Sequence, residues 1–475
     1  MPGHEIYFVG ICGVAMGSLA VLLRDAGHRV AGSDSGMYPP MDEFLKTRGI
    51  QVFTGFRAEQ VGRPDFVVVG NAISRGNPEL EYVLNERIPY LSMAQALHRF
   101  FLTGKEAVAV AGTHGKTTTT ALLAHMLSAA GMDPSFLIGG VALNYHTTCR
   151  SGAGPFFILE ADEYDSAFFE KVPKFMIYRP QHALLTSLEF DHADIYRNSA
   201  EIELWFRRLI NIIPSRGCAI YARGYEALGR VAAGAPCRIL SFGEGGDFRR
   251  TKARWGDGNA RFSIEHAGGS FEVSTSLFGG FNFDNILAAA SMALSLGVDE
   301  RCIREGVATF RGVRRRQELI YDNGRVRIYE DFAHHPTAVK GMIEAVRERH
   351  PSARLYAAFE PRSATSRRRV FQDVYPSSFT RADRAAIMTP YKGGRAIPSE
   401  EMLDADKLVQ DINSLGVNAR LFSDVGEIID WFIEGAGHEE ECVIVIMSNG
   451  GFDGIYGRIR EAFDTRSGAV AAMRS

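Results

Sequence analysis

The stretch that most constrains this chain is Val108-Ala109-Val110-Ala111-Gly112-Thr113-His114-Gly115-Lys116-Thr117-Thr118-Thr119. Its valine-rich start predicts a buried strand, its two glycines a hinged loop, and Lys116 through Leu122, Leu123 and Met126 a helix. A loop of this kind turns backbone N–H groups and the positive end of the helix dipole toward an anion. Lysine then reaches the outer phosphates, and a threonine hydroxyl helps to hold Mg²⁺. Gly112, Thr113, His114, Gly115, Lys116, Thr117 and Thr118 are therefore read as the cradle of a nucleoside triphosphate. The full phosphate-loop spacing asks for a glycine where Val110 stands, so the match is to a shorter Gly-Thr-x-Gly-Lys-Thr-Thr form.

A chain of 475 residues exceeds what one hydrophobic core supports. Three α/β domains are expected, over residues 1–104, 105–312 and 313–475. The polar Thr103-Gly104-Lys105-Glu106 marks the first boundary, and the basic run from Arg311 to Arg316 the second. A formal charge of -3 supplies no general field for nucleic acid or membrane, so partners are sought at local sites. The six cysteines are scattered, without a C-x-x-C pair, as in a reduced cytoplasmic protein. No basic leader precedes an apolar run at the N-terminus, and no stretch approaches the roughly 18 uncharged residues of a membrane span.

Residues 5–34 read as a βαβ unit whose turn carries Gly10, Gly13 and Gly17. That spacing is G-x-x-G-x-x-x-G, not the dinucleotide fingerprint. It supports a helix N-terminus facing a phosphate or diphosphate, or a purely structural tight turn, with Asp34 able to accept from a ribose or base. Tyr38-Pro39-Pro40-Met41 is a stiff, extended break. Phe66–Val69 is a further parallel strand, with Asn71 just past its carboxyl end, where open α/β sheets place ligands.

Beyond the cradle, Phe156–Leu159 is an apolar strand running into Glu160, Asp162, Glu163 and Asp165. Four carboxylates together are costly unless cations or backbone donors offset their repulsion, and Mg²⁺ shared with phosphates is the natural counter-ion. The segment Glu189-Phe190-Asp191-His192-Ala193-Asp194 past the next strand suits a second metal or a proton carrier. Residues 236–278 alternate apolar and polar, as antiparallel hairpins do. Asn282 and Asn285 precede a helix expected over residues 286–296, where they read a base edge or cap the helix. Arg311, beside the second boundary, is placed to meet phosphates on domain closure. The last domain is Rossmann-like without a glycine fingerprint, and its absence from both such regions argues against a nicotinamide-dependent oxidoreductase.

Taken in order, Gly112-Thr113-His114-Gly115-Lys116-Thr117, Glu160-Ala161-Asp162-Glu163, Asp191-His192, Asn282-x-x-Asn285 and Asp331-Phe332-Ala333-His334-His335-Pro336 resemble the ATP-dependent Mur ligases of peptidoglycan synthesis. The resemblance spans essentially the whole chain. It implies an N-terminal Rossmann-like domain for a UDP-sugar, a central ATPase with a mostly parallel sheet, and a C-terminal domain that brings the amino substrate. Gly10 to Gly17 and Gly32-Ser33-Asp34 look like the branch that binds UDP-N-acetylmuramate, implying substrate contacts from Gly10, Cys12, Gly13, Met16, Ser33, Asp34 and Asn71.

Tyr38-Pro39-Pro40-Met41, Phe359-Glu360-Pro361-Arg362-Ser363 and Met447-Ser448-Asn449-Gly450-Gly451-Phe452 look like members that attach the whole tripeptide L-Ala-γ-D-Glu-meso-diaminopimelate. Free L-alanine is the alternative amine. The resemblance further implies catalytic roles for Lys116, Glu160, His192 and His335, and Mg²⁺ held by Thr117, Glu160 and His192. It implies nucleotide contacts from Asn282, Asn285, Arg311 and Asp331, and a peptide carboxylate at Arg362. Two departures stand out. Phe281 replaces the histidine that many relatives carry before Asn282, and no lysine lies between His192 and Ile213 to serve as a carbamylated metal ligand.

Overall fold

The computed structural model describes residues 3–36, 41–193, 195–393, 397–436 and 441–474. The break at Tyr38-Pro39-Pro40 and the acid Asp194 lie outside the described residues. Two compact units emerge: Met1–Phe190, Asn198–Ser276 and Asp284–Arg311 form the first, and Asp191–Arg197, Leu277–Phe283 and Gly312–Ser475 the second.

The first unit contains two mainly parallel sheets. A strand covered on both faces is apolar along its whole length, and Ile6–Val9 and Val67–Val69 are at most 3% exposed. In space the first sheet runs Gln51–Thr54, Arg29–Asp34, Glu5–Val9, Phe66–Val69, Tyr90–Ser92, all parallel. The order reverses between Glu5–Val9 and Phe66–Val69, so the loops beginning at Gly10 and Gly70 flank the crevice where such sheets bind ligands. The second sheet runs Arg238–Phe242, Cys218–Ala222, His182–Leu185, Glu106–Ala111, Phe156–Glu160, Ser135–Ala142, Thr147–Arg150. Glu106–Ala111 lies at its centre, and the loops after Ala111, Glu160 and Leu185 leave adjacent strands on the same edge. The antiparallel insertion is shorter than its sequence suggests. Arg249–Thr275 forms a small antiparallel sheet, whereas Arg238–Phe242 pairs in parallel with Cys218–Ala222 and extends the large one.

In the second unit the order is Glu318–Asp322, Val326–Asp331, Cys442–Met447, Arg354–Phe359, Arg384–Met388, Asn418–Phe422, parallel except at the first pair. Its two faces bury separate apolar clusters, one around Val339, Tyr375 and Phe379 and one around Val425, Phe432 and Ile455. The loops after Asp331, Met447 and Phe359 again leave neighbouring strands together. Among the described residues, no helix is long and apolar enough to cross a membrane.

Candidate active site

The cradle forms as its sequence predicts. Glu106–Ala111 is the strand, and the helix runs Lys116–Ala129. Gly112 has φ +139, and a Cβ there would fall 2.3 Å from Thr186 Oγ1. Gly115 is the left-handed N-cap, with φ +79. The neighbouring loop holds this one by hydrogen bonds: the His114 N–H donates to Ser187 Oγ at 2.8 Å, and Thr186 Oγ1 donates to the His114 carbonyl at 2.6 Å. His114 Nε2 is 2.9 Å from Glu189 Oε2, and Thr113 Oγ1 both donates to the Glu189 carbonyl and accepts its N–H. The fold thus puts Glu189, which the sequence offers only as one of the acids near His192, beside His114.

Lys116 Nζ donates to the Gly112 carbonyl at 2.7 Å and to Glu163 Oε2 at 3.0 Å. Burial disfavours its ammonium, but the carboxylates of Glu163, Asp162 and Glu160 outweigh burial and raise its pKa. Thr117 Oγ1 lies 3.2 Å from Glu160 Oε2, and the other Glu160 oxygen accepts the Gly139 N–H at 2.5 Å. Three of the four carboxylates, Asp162, Glu163 and Asp165, pair with lysines. Lys174 Nζ donates to Asp162 Oδ2 at 2.9 Å and to the Tyr164 hydroxyl at 3.1 Å, and Lys171 pairs with Asp165. Burial favours neutral Asp162, yet Lys174 and Lys116 hold its carboxyl well below the usual range. Lys174 was missed, since a lysine beside Pro173 in sequence resembles a solvated one. Asn285 joins this cluster: Thr119 Oγ1 donates to its Oδ1 at 3.2 Å.

The Gly10 loop leads into the helix Val14–Asp25, whose N-cap, Gly13, brings no capping side chain. Asp34 Oδ2 accepts the Cys12 N–H at 2.8 Å, so this carboxylate shapes the loop. The Ser33 carbonyl accepts the N–H groups of Gly10 and Ile11. Three of the residues expected at the substrate are buried. Ser33 is fully buried with its hydroxyl donated to Glu79, while Cys12 and Met16 are buried beneath the loop. Gly13 and Asn71 are exposed.

In the second unit, the segment after Phe190 brings Asp191 and His192. His192 adopts φ +55, and its N–H donates to Asp191 Oδ1 at 2.7 Å. The Ala193 N–H reaches Thr365 Oγ1 at 3.3 Å. Burial opposes ionisation of Asp191, but His192, His334 and the donors from Thr365 and His192 hold its carboxyl well below the usual range. His192 therefore lies on a different unit from Thr117 and Glu160.

Asp331 accepts the N–H groups of Gln317 at 2.7 Å and Ala333 at 2.8 Å, yet burial outweighs these donors and Arg316 and raises its pKa. His335 caps the helix Pro336–Arg349, its Nδ1 accepting the Thr337 N–H. Asn282 and Asn285, expected to precede the helix, lie inside it. The helix starts at Gly280, directly after left-handed Gly279, and Asn282 in its first turn is buried. The Asn282 amide donates to the Phe278 carbonyl and to Gln317 Oε1 in the second unit, whereas Asn285 belongs to the first. Arg311 ends the first unit with its N–H on Asn144 Oδ1 and its side chain exposed. Arg362 lies beside Glu360 in the second.

Known proteins resemble the chain along its length. The profiles described as Mur ligase family catalytic domain, Mur ligase middle domain and Mur ligase glutamate ligase domain match residues 5–104, 110–293 and 315–450. The UDP-N-acetylmuramate–L-alanyl-γ-D-glutamyl-meso-2,6-diaminoheptandioate ligase of Escherichia coli is 37% identical over 98% of this chain and 100% of its own. The UDP-N-acetylmuramate–L-alanine ligase of Clostridium acetobutylicum is 30% identical over 90% of this chain and 92% of its own. A crystal structure of a murein peptide ligase from Psychrobacter arcticus superposes with a TM-score of 0.73 at 35% identity, covering 97% of this chain and 98% of that one. With its strand, glycine loop and helix, its acid-tipped strand and its three mainly parallel sheets, the chain belongs to the Mur ligase family of ATP-dependent ligases.

Proposed function

We propose that this chain joins the tripeptide L-Ala-γ-D-Glu-meso-diaminopimelate to UDP-N-acetylmuramate at the expense of ATP, in the cytoplasm, as a step of peptidoglycan recycling. The observation that carries the reading is the meeting of Lys116, Thr117, Glu160 and Glu163 on adjacent loops of one sheet edge. Greater identity to the E. coli tripeptide ligase than to the C. acetobutylicum L-alanine ligase supports the choice of amine. The three mainly parallel sheets are taken as three domains, over residues 1–104, 105–312 and 313–475.

A carboxylate is a poor electrophile, and an amine does not displace its oxygen at neutral pH. Transfer of the γ-phosphoryl group of ATP to the sugar-borne carboxylate gives an acyl phosphate, and the α-amine of the peptide's L-alanine then expels phosphate. Lys116 would exchange Glu163 for a phosphate oxygen, and the N–H groups around Gly112 to Lys116 would bind the remaining charge. Thr117 Oγ1 and the Glu160 carboxylate, 3.2 Å apart, are hard oxygen donors that suit Mg²⁺. With His192 they would hold Mg²⁺, which when bound neutralises charge on the transferring phosphoryl group. Gly10, Gly13, Asp34 and Asn71 would meet the UDP-sugar, with Cys12, Met16 and Ser33 behind them. Asn285, Arg311 and Asp331 would meet the nucleotide, with Thr118 and Asn282 as supports, and His335 would lie near the incoming amine. Arg362 would pair with a peptide carboxylate.

The deciding experiment supplies ATP and UDP-N-acetylmuramate with either the tripeptide or free L-alanine and weighs the products by mass spectrometry. A product carrying the whole tripeptide is expected. A product only with L-alanine makes the chain the L-alanine ligase.

A further inference from the structure

Strands Arg354–Phe359 and Cys442–Met447 are parallel neighbours in register from Arg354↔Cys442 to Phe359↔Met447, so the residues that follow each emerge side by side. Glu360 follows one and Ser448 the other. Glu360 is 2% exposed, unusual for a carboxylate. Both of its oxygens are engaged: Ser448 Oγ donates to Oε2 at 2.5 Å, and Arg362 Nη1 donates to Oε1 at 3.1 Å. The same Ser448 hydroxyl accepts the Gly450 N–H at 2.8 Å, which locks the turn.

Arg362 is confined from three sides. One edge rests on Glu360, and Tyr391 lies under the guanidinium with its ring centroid 3.7 Å from Cζ. The third side is backbone: a Cβ on Gly450 would fall 2.0 Å from Arg362 Nε, so only glycine permits this approach. The Tyr391 loop is itself tied down, its N–H on the Pro361 carbonyl and its carbonyl on the buried guanidinium of Arg367. A guanidinium held in this way loses little rotamer freedom on meeting a carboxylate, which lowers the entropic cost of binding.

We propose that Glu360 is a positioning residue that aims Arg362 at a carboxylate of the incoming peptide. Glu360 does not itself touch substrate, since both oxygens face protein donors. The inference rests on the reading in which Arg362 meets that carboxylate.

The test measures steady-state constants for wild type, Arg362→Ala, Glu360→Ala and Glu360→Gln, with the tripeptide and with the tripeptide whose carboxylates are converted to amides. Removing one charged hydrogen-bond partner predicts that Glu360→Ala raises the tripeptide KM about tenfold or more, with the KM values for ATP and the UDP-sugar unchanged. Glu360→Gln keeps one acceptor oxygen for Arg362 while its amide N–H donates to Ser448 Oγ in place of accepting, so it recovers part of that loss. The amidated peptide should bind wild type and Glu360→Ala equally weakly. An unchanged tripeptide KM in Arg362→Ala overturns the reading of Arg362 itself. Arg362→Ala impaired with Glu360→Ala unimpaired, or equal losses for Glu360→Ala on both peptides, overturns the positioning role alone. Should Glu360→Ala fail to fold, Ser448→Ala removes the hydroxyl that orients Glu360. It must raise the tripeptide KM selectively, and an unselective loss overturns the proposal.

Discussion

Lys116 Nζ sits 3.0 Å from Glu163 Oε2, so the cation at the centre of the phosphate cradle has a carboxylate partner that carries the same sign of charge as a phosphate. On the proposed function, Glu163 and ATP would compete for one ammonium. At about 4 Å and an effective dielectric constant near 20, such a charge pair is worth roughly 4 kcal/mol before desolvation offsets most of it. Glu163→Gln is therefore expected to lower the KM for ATP by about five- to tenfold, the residue of that difference. Lys116→Ala should abolish ligation while leaving UDP-sugar binding unchanged. Both follow from steady-state rates and calorimetric titration, and a raised KM for ATP in Glu163→Gln would refute the competition.

Gly115 makes a second prediction. Its left-handed backbone, φ +79, disfavours any side chain, and a Cβ would fall 2.3 Å from Asn285 Oδ1. The strain costs about 1–2 kcal/mol, and the displaced Asn285 amide disturbs the cluster further. Gly115→Ala should weaken ATP binding by about tenfold or more, since each 1.4 kcal/mol is a factor of ten. Binding of UDP-N-acetylmuramate, on a different sheet, should persist, and titration of each ligand separates the two.

The parts of the site that were legible in sequence are those made by short-range geometry. Strand, glycine hinge and helix in Ala109–Lys116 are encoded within a few residues, and so are the acids that end Phe156–Glu160. The parts that were not depend on contacts distant in sequence. Nothing local says that Asn282 will spend its amide on Gln317, 35 positions away, or that Ala193 will reach Thr365, 172 positions away. The helix at Gly280 begins six residues before its expected start because Gly279 supplies the left-handed turn, a signal masked by the second glycine and the asparagines that follow it. That Ser33 gives its hydroxyl to protein is hidden in the same way. Its partner, Glu79, is 46 positions distant and buried.

His350 makes stability depend on acid. Burial first, then Arg327 and Arg349, push its pKa down to about 4, while the Tyr329 hydroxyl lies 3.1 Å from its Nε2. In the unfolded chain the imidazole titrates near 6.5, so between about 4 and 6.5 the unfolded state binds more protons. Its stabilisation is thus full above about pH 6.5 and is lost as pH falls through that window. His350→Phe keeps a ring beside Tyr329 but cannot take a proton. Its melting temperature should fall less than that of wild type between about pH 7.5 and pH 5. Equal falls would show that His350 does not govern this acid sensitivity.

Lys174 and Asp162 form the buried pair behind the cradle, with Nζ 2.9 Å from Oδ2 and side chains 8% and 17% exposed. Breaking a buried pair by removing one member leaves an uncompensated charge and costs about 3–5 kcal/mol, more than replacing both. Asp162→Asn leaves the Lys174 ammonium with the Tyr164 hydroxyl and ring, so it should be the more damaging single change. Lys174→Met leaves Asp162 with Lys116 at 4.0 Å, a partial substitute that draws this lysine from the cradle and should also raise the KM for ATP. The double variant should recover at least about 1 kcal/mol relative to the sum of the singles. Chemical denaturation of the four proteins gives this coupling directly. Strict additivity would mean that the two side chains are stabilised independently, and the cradle's charge balance would then rest on Lys116 and Glu163 alone.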